Sequence, residues 1–222
     1  MTVNPASLPP GPSLDAAGRS VSDSADVSRA LPIPESYWVV PGLLLAGEYP
    51  YSWDEEKGRA RLRAFLDAGI RLFVDLTETR ESGRLGALDP YEDALREEAA
   101  ARGVPARVVR HPVRDMGIPA DGGLARIVEE LEAAVARGEP AYVHCWGGIG
   151  RTGTAVAAFL SRHLDLDGEQ ALEALAERWR EVPKSSVFPE SPQTDEQRSA
   201  VLRFAATARA AEPDPAPERR RR

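Results

Sequence analysis

His144-Cys-Trp-Gly-Gly-Ile-Gly-Arg-Thr-Gly-Thr154 (HCWGGIGRTGT) lies where one sequence pattern gives way to another. Ahead of it, Ala141-Tyr-Val-His-Cys145 reads as a buried strand; Arg151 to Leu164 reads as a helix, so the glycines fall in the turn between. Two readings of that turn compete. Gly148, Gly150 and Gly153 satisfy G-x-G-x-x-G, the turn that brings a pyrophosphate to a helix start in dinucleotide-binding units. Such a turn opens the first βαβ unit, and a second strand ending in an acidic residue follows about 20 positions on. Here it comes late and only helical patterns follow.

The second reading rests on Cys145 and Arg151, a Cys-x5-Arg loop. Its glycines let consecutive backbone N–H groups turn inward toward one tetrahedral anion, and the helix that follows adds the positive end of its dipole. A cysteine in such a nest is favoured as the thiolate, the nucleophilic form, and the Thr152 hydroxyl is placed to hydrogen-bond the sulfur. Arg151 supplies a planar fork that matches two phosphate oxygens. The alternative, a small buried hydrophobe at a strand end, leaves the adjoining glycines and arginine unexplained.

Outward from this loop, strands and helices alternate. YWVV, LLLAG, IRLFVDL and RVVRHPV read as strands, with helices from Asp54 to Ala68, about Pro90 to Arg102, and Asp121 to Arg137. Three helices close the chain: Arg151 to Leu164, Gly168 to Trp179 capped by Asp167, and Thr194 to Ala211 introduced by Ser191 and Pro192. This order implies an α/β protein with a sheet of about four or five strands flanked by helices. Residues 1–34, rich in Pro, Ser, Ala and Asp, read as a disordered arm, and residues 212–222 (EPDPAPERRRR) as a solvated tail. One domain, 35–211, remains between them.

Composition narrows the function. Of 222 residues 42% are hydrophobic and none of the apolar runs reaches the ~18 residues that a membrane-crossing helix needs. The N-terminus lacks the basic start and apolar core of a signal peptide, so the cytoplasm is the expected location. A net charge of -7 disfavours nucleic acid and anionic membrane as partners. One cysteine allows no internal disulfide, and three scattered histidines supply no metal-ligand spacing.

HCWGGIGRTG resembles the H-C-x-x-G-x-G-R-[ST]-G signature of the cysteine-dependent protein tyrosine phosphatases and dual-specificity phosphatases. The resemblance implies a phosphotyrosine-phosphatase-like fold with a mostly parallel sheet. It also implies a two-step reaction: Cys145 attacks phosphorus to give a phosphocysteine, which water then hydrolyses, with no metal or cofactor. Trp146, Gly147, Gly148, Ile149, Gly150 and Arg151 would then hold the phosphate.

The same likeness assigns the partners of the thiol. His111 to Pro119 is a loop that follows a strand and carries Asp115, 30 residues before Cys145. Its placement is similar to the family's general-acid loop, which makes Asp115 the candidate proton donor; otherwise it caps a turn. Val113-Arg114 stands where tyrosine-specific members commonly carry Trp-Pro. Ser191-Pro-Gln-Thr-Asp-Glu-Gln197 looks like the family's Q-T-x-x-Q segment, so Gln193 would orient the hydrolytic water with support from Gln197; otherwise these are polar residues at a helix start.

Around these, His144 is expected to orient the loop through its ring nitrogens. Asp75 and Glu78 are expected to be structural, and Trp38, Trp53 and Trp179 to be core, whereas Trp146 narrows the mouth of the site. No residue from Trp146 to Gly150 is basic, which favours a singly phosphorylated substrate. The expected activity is a protein phosphatase acting on phosphotyrosine in phosphorylated proteins, with phosphoserine and phosphothreonine left open. The alternatives are a phosphoinositide or small-molecule phosphatase and a catalytically weak phosphoprotein-binding module. Oligomeric state is not written in the sequence.

Overall fold

A computed structural model describes residues 30–83 and 86–210. Positions 1–29 of the expected arm and the expected tail at 212–222 lie outside the described residues. Within the arm as read from sequence, Ile33 is buried against the core, and its carbonyl accepts the Ser36 hydroxyl at 2.7 Å. Packed chain therefore begins before residue 35, because one isoleucine in a Pro-rich stretch finds an apolar surface that composition alone does not reveal.

The elements run β1 (Ser36–Val40), β2 (Leu44–Gly47), α1 (Glu55–Asp67), β3 (Leu72–Asp75), the short pair β4 (Ser82–Gly83) and β5 (Gly86–Ala87), and α2 (Glu92–Ala101). Then follow β6 (Arg107–Arg110), α3 (Gly123–Ala136), β7 (Ala141–His144), α4 (Gly150–His163), α5 (Gly168–Trp179), a 3-10 turn (Pro183–Ser186) and α6 (Asp195–Ala210). The main sheet has the order β1-β2-β7-β3-β6, with β1 antiparallel to β2 and the other neighbours parallel. The expected α/β architecture is thus formed. The β4–β5 pair and the 3-10 turn have no counterpart in the sequence reading, since two-residue strands and a single 3-10 turn carry too little periodicity to register.

All four residues of β2, β3 and β7 are buried, as expected for parallel strands covered on both faces. Alternation sorts them between two cores. Leu44, Ala46, Leu72, Val74, Ala141 and Val143 pack toward α3 to α6; Leu45, Phe73 and Tyr142 pack toward α1 and α2. Cys145 continues the period and joins the first set. Asp167 caps α5 by accepting from Gln170 N, and the Gln170 side chain returns a contact to Asp167 N, completing a capping box. At α6 the cap is Thr194, whose hydroxyl accepts from Gln197 N at 3.2 Å, rather than the expected Ser191 and Pro192. Ser191 is committed elsewhere, its hydroxyl donating to Ile149 O.

Register decides where chemistry can occur. Gly47 pairs with His144, His144 with Asp75, and Asp75 with Arg110, so the carboxyl ends of four strands align in one row. The loops leaving that row meet at the start of α4, and open α/β sheets bind ligands at this edge. Every residue of α4 from Gly150 to Ser161 is buried, which makes it the axis around which α3, α5 and α6 pack. Among the described residues no helix is long and apolar enough to cross a membrane.

Candidate active site

The chain leaves β7 at His144, turns through Cys145–Ile149 and enters α4 at Gly150. Five carbonyls along this path are engaged, four of them from outside. His144 O accepts from Leu76 N (2.9 Å), Cys145 O from His144 Nδ1 (3.3 Å), and Trp146 O from Tyr49 N (2.9 Å). Gly147 O accepts from Lys184 Nζ (3.1 Å), and Ile149 O from the Ser191 hydroxyl (2.8 Å) and Gly153 N. A trans peptide points its N–H opposite to its C=O, so the outward carbonyls turn the following amides inward. Among the described residues none of the N–H groups of Trp146, Gly147, Gly148, Ile149 and Gly150 donates a hydrogen bond. The N-cap of α4, Ile149, offers no side-chain acceptor and the first turn has no acidic residue, so the positive helix end stays open.

The glycines do different work. Gly148 has φ 74°, and a Cβ there would lie 2.4 Å from Gly47 C, so both backbone conformation and close approach demand glycine. At Gly150 a Cβ would strike the Gln197 amide at 2.8 Å and Gln193 Oε1 at 3.0 Å, which brings the glutamine segment directly against the loop.

Arg151 is almost fully buried. Its Nη1 donates to Glu81 Oε2 (2.5 Å) and Val113 O (2.9 Å), and its Nη2 to Glu81 Oε1 (2.7 Å) and Asp115 Oδ1 (2.9 Å). Of five guanidinium N–H donors, four are thereby committed and Nε–H remains. Burial opposes the charge, but the Glu81 hydrogen bonds and the Cys145, Glu81 and Asp115 charges outweigh it and hold the Arg151 pKa above its ordinary value. An incoming phosphate can take an Nη2–Nε fork only if Asp115 lets go.

Glu81 escaped the sequence reading, which weighed Asp75 and Glu78 nearby. Its signal is faint: an acidic residue in a polar turn looks solvated until the turn, closed by Glu81 N to Glu78 O (3.1 Å), folds it under Arg151. Asp75 is fully buried; its Oδ1 accepts from Thr77 N and the Thr77 hydroxyl, and Arg110 Nη2 lies 3.0 Å from Oδ2. Glu78 is exposed.

Thr152 does not make the expected contact with the sulfur. Its hydroxyl is buried without a hydrogen-bond partner. Thr154 bonds back to Gly150 O, four residues earlier, but the corresponding carbonyl for Thr152 belongs to Gly148, whose left-handed backbone takes that peptide out of helical alignment. Gln193 is exposed beside Gly150, and Gln197, fully buried, accepts from Gln193 N and Thr194 N while its Nε2 donates to Gly117 O at 3.1 Å. Gln197 thus ties the Asp115 loop to the α6 start.

His144 lies on the opposite face of β7 from Cys145. The Tyr91 hydroxyl sits 2.8 Å from Nε2, Tyr142 stacks on the ring, and burial pushes the pKa below its ordinary value. The neutral tautomer that fits both contacts donates Nδ1–H to Cys145 O and accepts from Tyr91 at Nε2. Trp146 lines a side cleft of about 310 Å³ with Tyr49, Tyr51, Trp53 and Arg61. Trp53, expected in the core, is 77% exposed. It precedes the α1 cap Asp54, where an apolar residue would pack on the fourth helical position, but that position is Gly58, already covered by the Tyr51 ring. Trp179 is buried in the core and Trp38 is half-buried. Among the described residues no group of three or more His, Cys, Asp or Glu side chains is placed to hold a metal ion.

Residues 34–203 match the family described as PTP-SAK, Swiss Army Knife protein, DSP-PTPase phosphatase domain. The chain is similar to the protein named tyrosine phosphatase 067L of Invertebrate iridescent virus 3, 27% identical over 141 residues, covering 62% of this chain and 50% of that one. It is also similar to cyclin-dependent kinase inhibitor 3 of Mus musculus, 32% identical over 65 residues, 29% of this chain and 31% of that one. The chain thus spans half or less of the length of these relatives. Among solved structures, Tk-PTP superposes with a TM-score of 0.58 at 21% identity, covering 80% of this chain and 99% of that one. PTPMT1 in complex with PI(5)P gives 0.58 at 23% identity, with coverage of 80% and 99%.

Two outcomes follow from the Arg151 contacts. Asp115→Ala frees the Nη2 donor and removes a competing negative charge, so the dissociation constant for inorganic phosphate or vanadate should fall severalfold, as measured by calorimetry. Glu81→Gln leaves the buried guanidinium half-paired: denaturant unfolding should show a loss of about 3 kcal/mol, and the Michaelis constant for an aryl phosphate should rise.

Proposed function

The chain belongs to the DSP-PTPase family of cysteine-dependent phosphatases, and from that premise we propose that it hydrolyses phosphotyrosine in proteins through a phosphocysteine at Cys145. The observation that carries this reading is the ring of unsatisfied amides between Cys145 and a buried, carboxylate-held Arg151. In this reading the inward N–H groups of Trp146–Gly150 and the Arg151 fork bind the phosphoryl oxygens, and the charge spread over them in the transition state meets donors already fixed in place. Cys145 Sγ attacks phosphorus in line. The phosphate takes the Nη2 contact from Asp115, whose released carboxylate takes up a proton from solvent and then delivers it to the departing tyrosyl oxygen. Water placed by Gln193, at the edge of Gly150, then cleaves the phosphocysteine, and Asp115 accepts its proton. Residues 35–211 form the catalytic domain in this account, a reading supported by the family match over 34–203. A free thiol nucleophile suits a reducing compartment, the cytoplasm.

The name of the viral relative supports a phosphotyrosine substrate, and the solved complex of PTPMT1 with PI(5)P supports the phosphoinositide alternative. Lys184 reaches the loop at Gly147 O while already paired at 2.6 Å with Glu48, a carboxylate it shares with Arg61, and a lysine so committed favours a substrate with one phosphate. Steady-state assays with a phosphotyrosine peptide, a soluble phosphoinositide head and an aryl phosphate separate the readings. Cys145→Ser should abolish turnover of all three, and Arg151→Lys should lower it by about 10²-fold or more, because a point charge cannot replace the fork. Asp115→Asn should lower kcat for the peptide by ~10² to 10⁴ and spare an aryl phosphate with an acidic phenol. A soluble phosphoinositide head turned over faster than the peptide would favour the alternative.

A further inference from the structure

Six large hydrophobic side chains are exposed among the described residues: Leu31, Trp53, Met116, Leu164, Val187 and Phe188. Single exposed apolar residues need no explanation, but four of these six gather on the three segments bonded to the catalytic loop. Trp53 lines the cleft beside Trp146, on the β2–α1 segment whose Tyr49 N donates to Trp146 O. Met116 follows Asp115, which holds Arg151. Val187, 71% exposed, and Phe188 lie between Lys184, bonded to Gly147 O, and Ser191, bonded to Ile149 O.

Packing does not account for these residue types. Trp53 has only Gly58 at the position it would staple. Met116 has φ 59°, a conformation that glycine adopts without penalty and a bulky side chain disfavours. Phe188 contributes its carbonyl to Trp179 Nε1, a role that leaves the identity of its side chain free.

Charge around the rim selects the occupant. Arg80 and Arg114 are exposed and make no side-chain hydrogen bond or ion pair among the described residues, whereas Arg61 and Lys184 are both paired with Glu48. These two arginines adjoin Glu81 and Asp115, the carboxylates that hold Arg151. They fall short of the cluster of about four to eight basic residues that holds a protein on anionic lipid, and a net charge of -7 opposes that surface further.

We propose that this apolar rim is a docking surface for phosphoproteins whose phosphotyrosine is flanked by bulky apolar side chains, and that it sets sequence preference around the phosphate. The proposal rests on the phosphotyrosine reading above and names its substrate class. Exposed aromatic side chains ringed by polar groups are where protein interfaces concentrate their binding energy, and one such contact is worth about a tenfold change in affinity or more.

The experiment uses phosphotyrosine peptides identical except for their flanking residues: Leu and Phe, Ser, or Glu. The full chain should show kcat/KM about tenfold higher for the apolar-flanked peptide than for the serine-flanked one. The double variant Trp53→Ser with Phe188→Ser should bring that ratio close to one, and Leu164→Ser, at an exposed site away from the rim, should leave it as in the parent. Equal rates across flanks, or a preference that survives the double variant, overturns the proposal. If the chain fails even on an aryl phosphate, the phosphatase reading fails separately. The panel titrated against Cys145→Ser by calorimetry then decides the rim: tighter binding of the apolar-flanked peptide supports it and equal affinities refute it. Phosphatidylcholine vesicles carrying a phosphoinositide form the last arm. Hydrolysis there faster than on every peptide, and faster than on the same head carried by short soluble chains, would assign the rim to lipid and overturn the protein partner.

Discussion

A guanidinium buried at the positive end of a buried helix is the constraint on which this structure turns. Arg151 lies in the first turn of α4, where the helix dipole already disfavours a cation, and almost none of it reaches water. The position is tenable because carboxylates arrive from two remote segments. Glu81 meets Arg151 across both terminal nitrogens from beneath, and Asp115 takes the outward donor. Glu81 is itself buried, while most of the Asp115 side chain is exposed. One partner is therefore built in, and the other holds a place that an incoming anion can contest. Buried ion pairs of this kind contribute little net stability once desolvation is counted; what Glu81 supplies is one fixed orientation of the guanidinium plane.

The loop that accompanies Arg151 obeys the same logic. Its carbonyls are drawn outward by Leu76, Tyr49, Lys184 and Ser191, donors from four other parts of the chain, and by the loop's own His144 ring. Gly148 lets the loop lie directly on the Gly47–Glu48 backbone, at the row where the parallel strands end. Gln197 links the Asp115 loop, through Gly117 O, to the segment resting on Gly150. The segment that carries Asp115 is thus hydrogen-bonded to the place where Gln193 sits. The same three surrounding segments carry the exposed apolar residues, so the parts that shape the cradle also shape what approaches it.

Some side chains obey rules that are visible in one dimension. The strands β2, β3 and β7 declare themselves by short β-branched and aromatic runs, α5 by Asp167 and Gln170, and the cradle by a cysteine, glycines and an arginine in fixed spacing. Cys145, Arg151 and the glycines between them are adjacent in the chain, so their geometry is largely local and their chemistry could be argued from residue types alone. Trp53 and Ser191 show the limit of such rules. An aromatic is expected in the core and a Ser-Pro pair at a helix start, yet each went elsewhere because of one partner: a glycine at position 58 and a carbonyl at position 149.

What the sequence determined by itself is therefore the α/β class, the order of the five main strands and six helices, and the Cys-x5-Arg turn between β7 and α4, since each depends on contacts within about seven residues or on a repeating period. Tertiary structure alone decided that Glu81 stands behind Arg151, that Asp115 occupies its outer donor, that Thr152 has no acceptor, and that Ile33 belongs to the core. Glu81 and Arg151 are 70 residues apart and Asp115 and Arg151 36, and no local periodicity records such a pairing. A carboxylate's partner is fixed by where the sheet register delivers its loop, and that register is a property of the assembled strands.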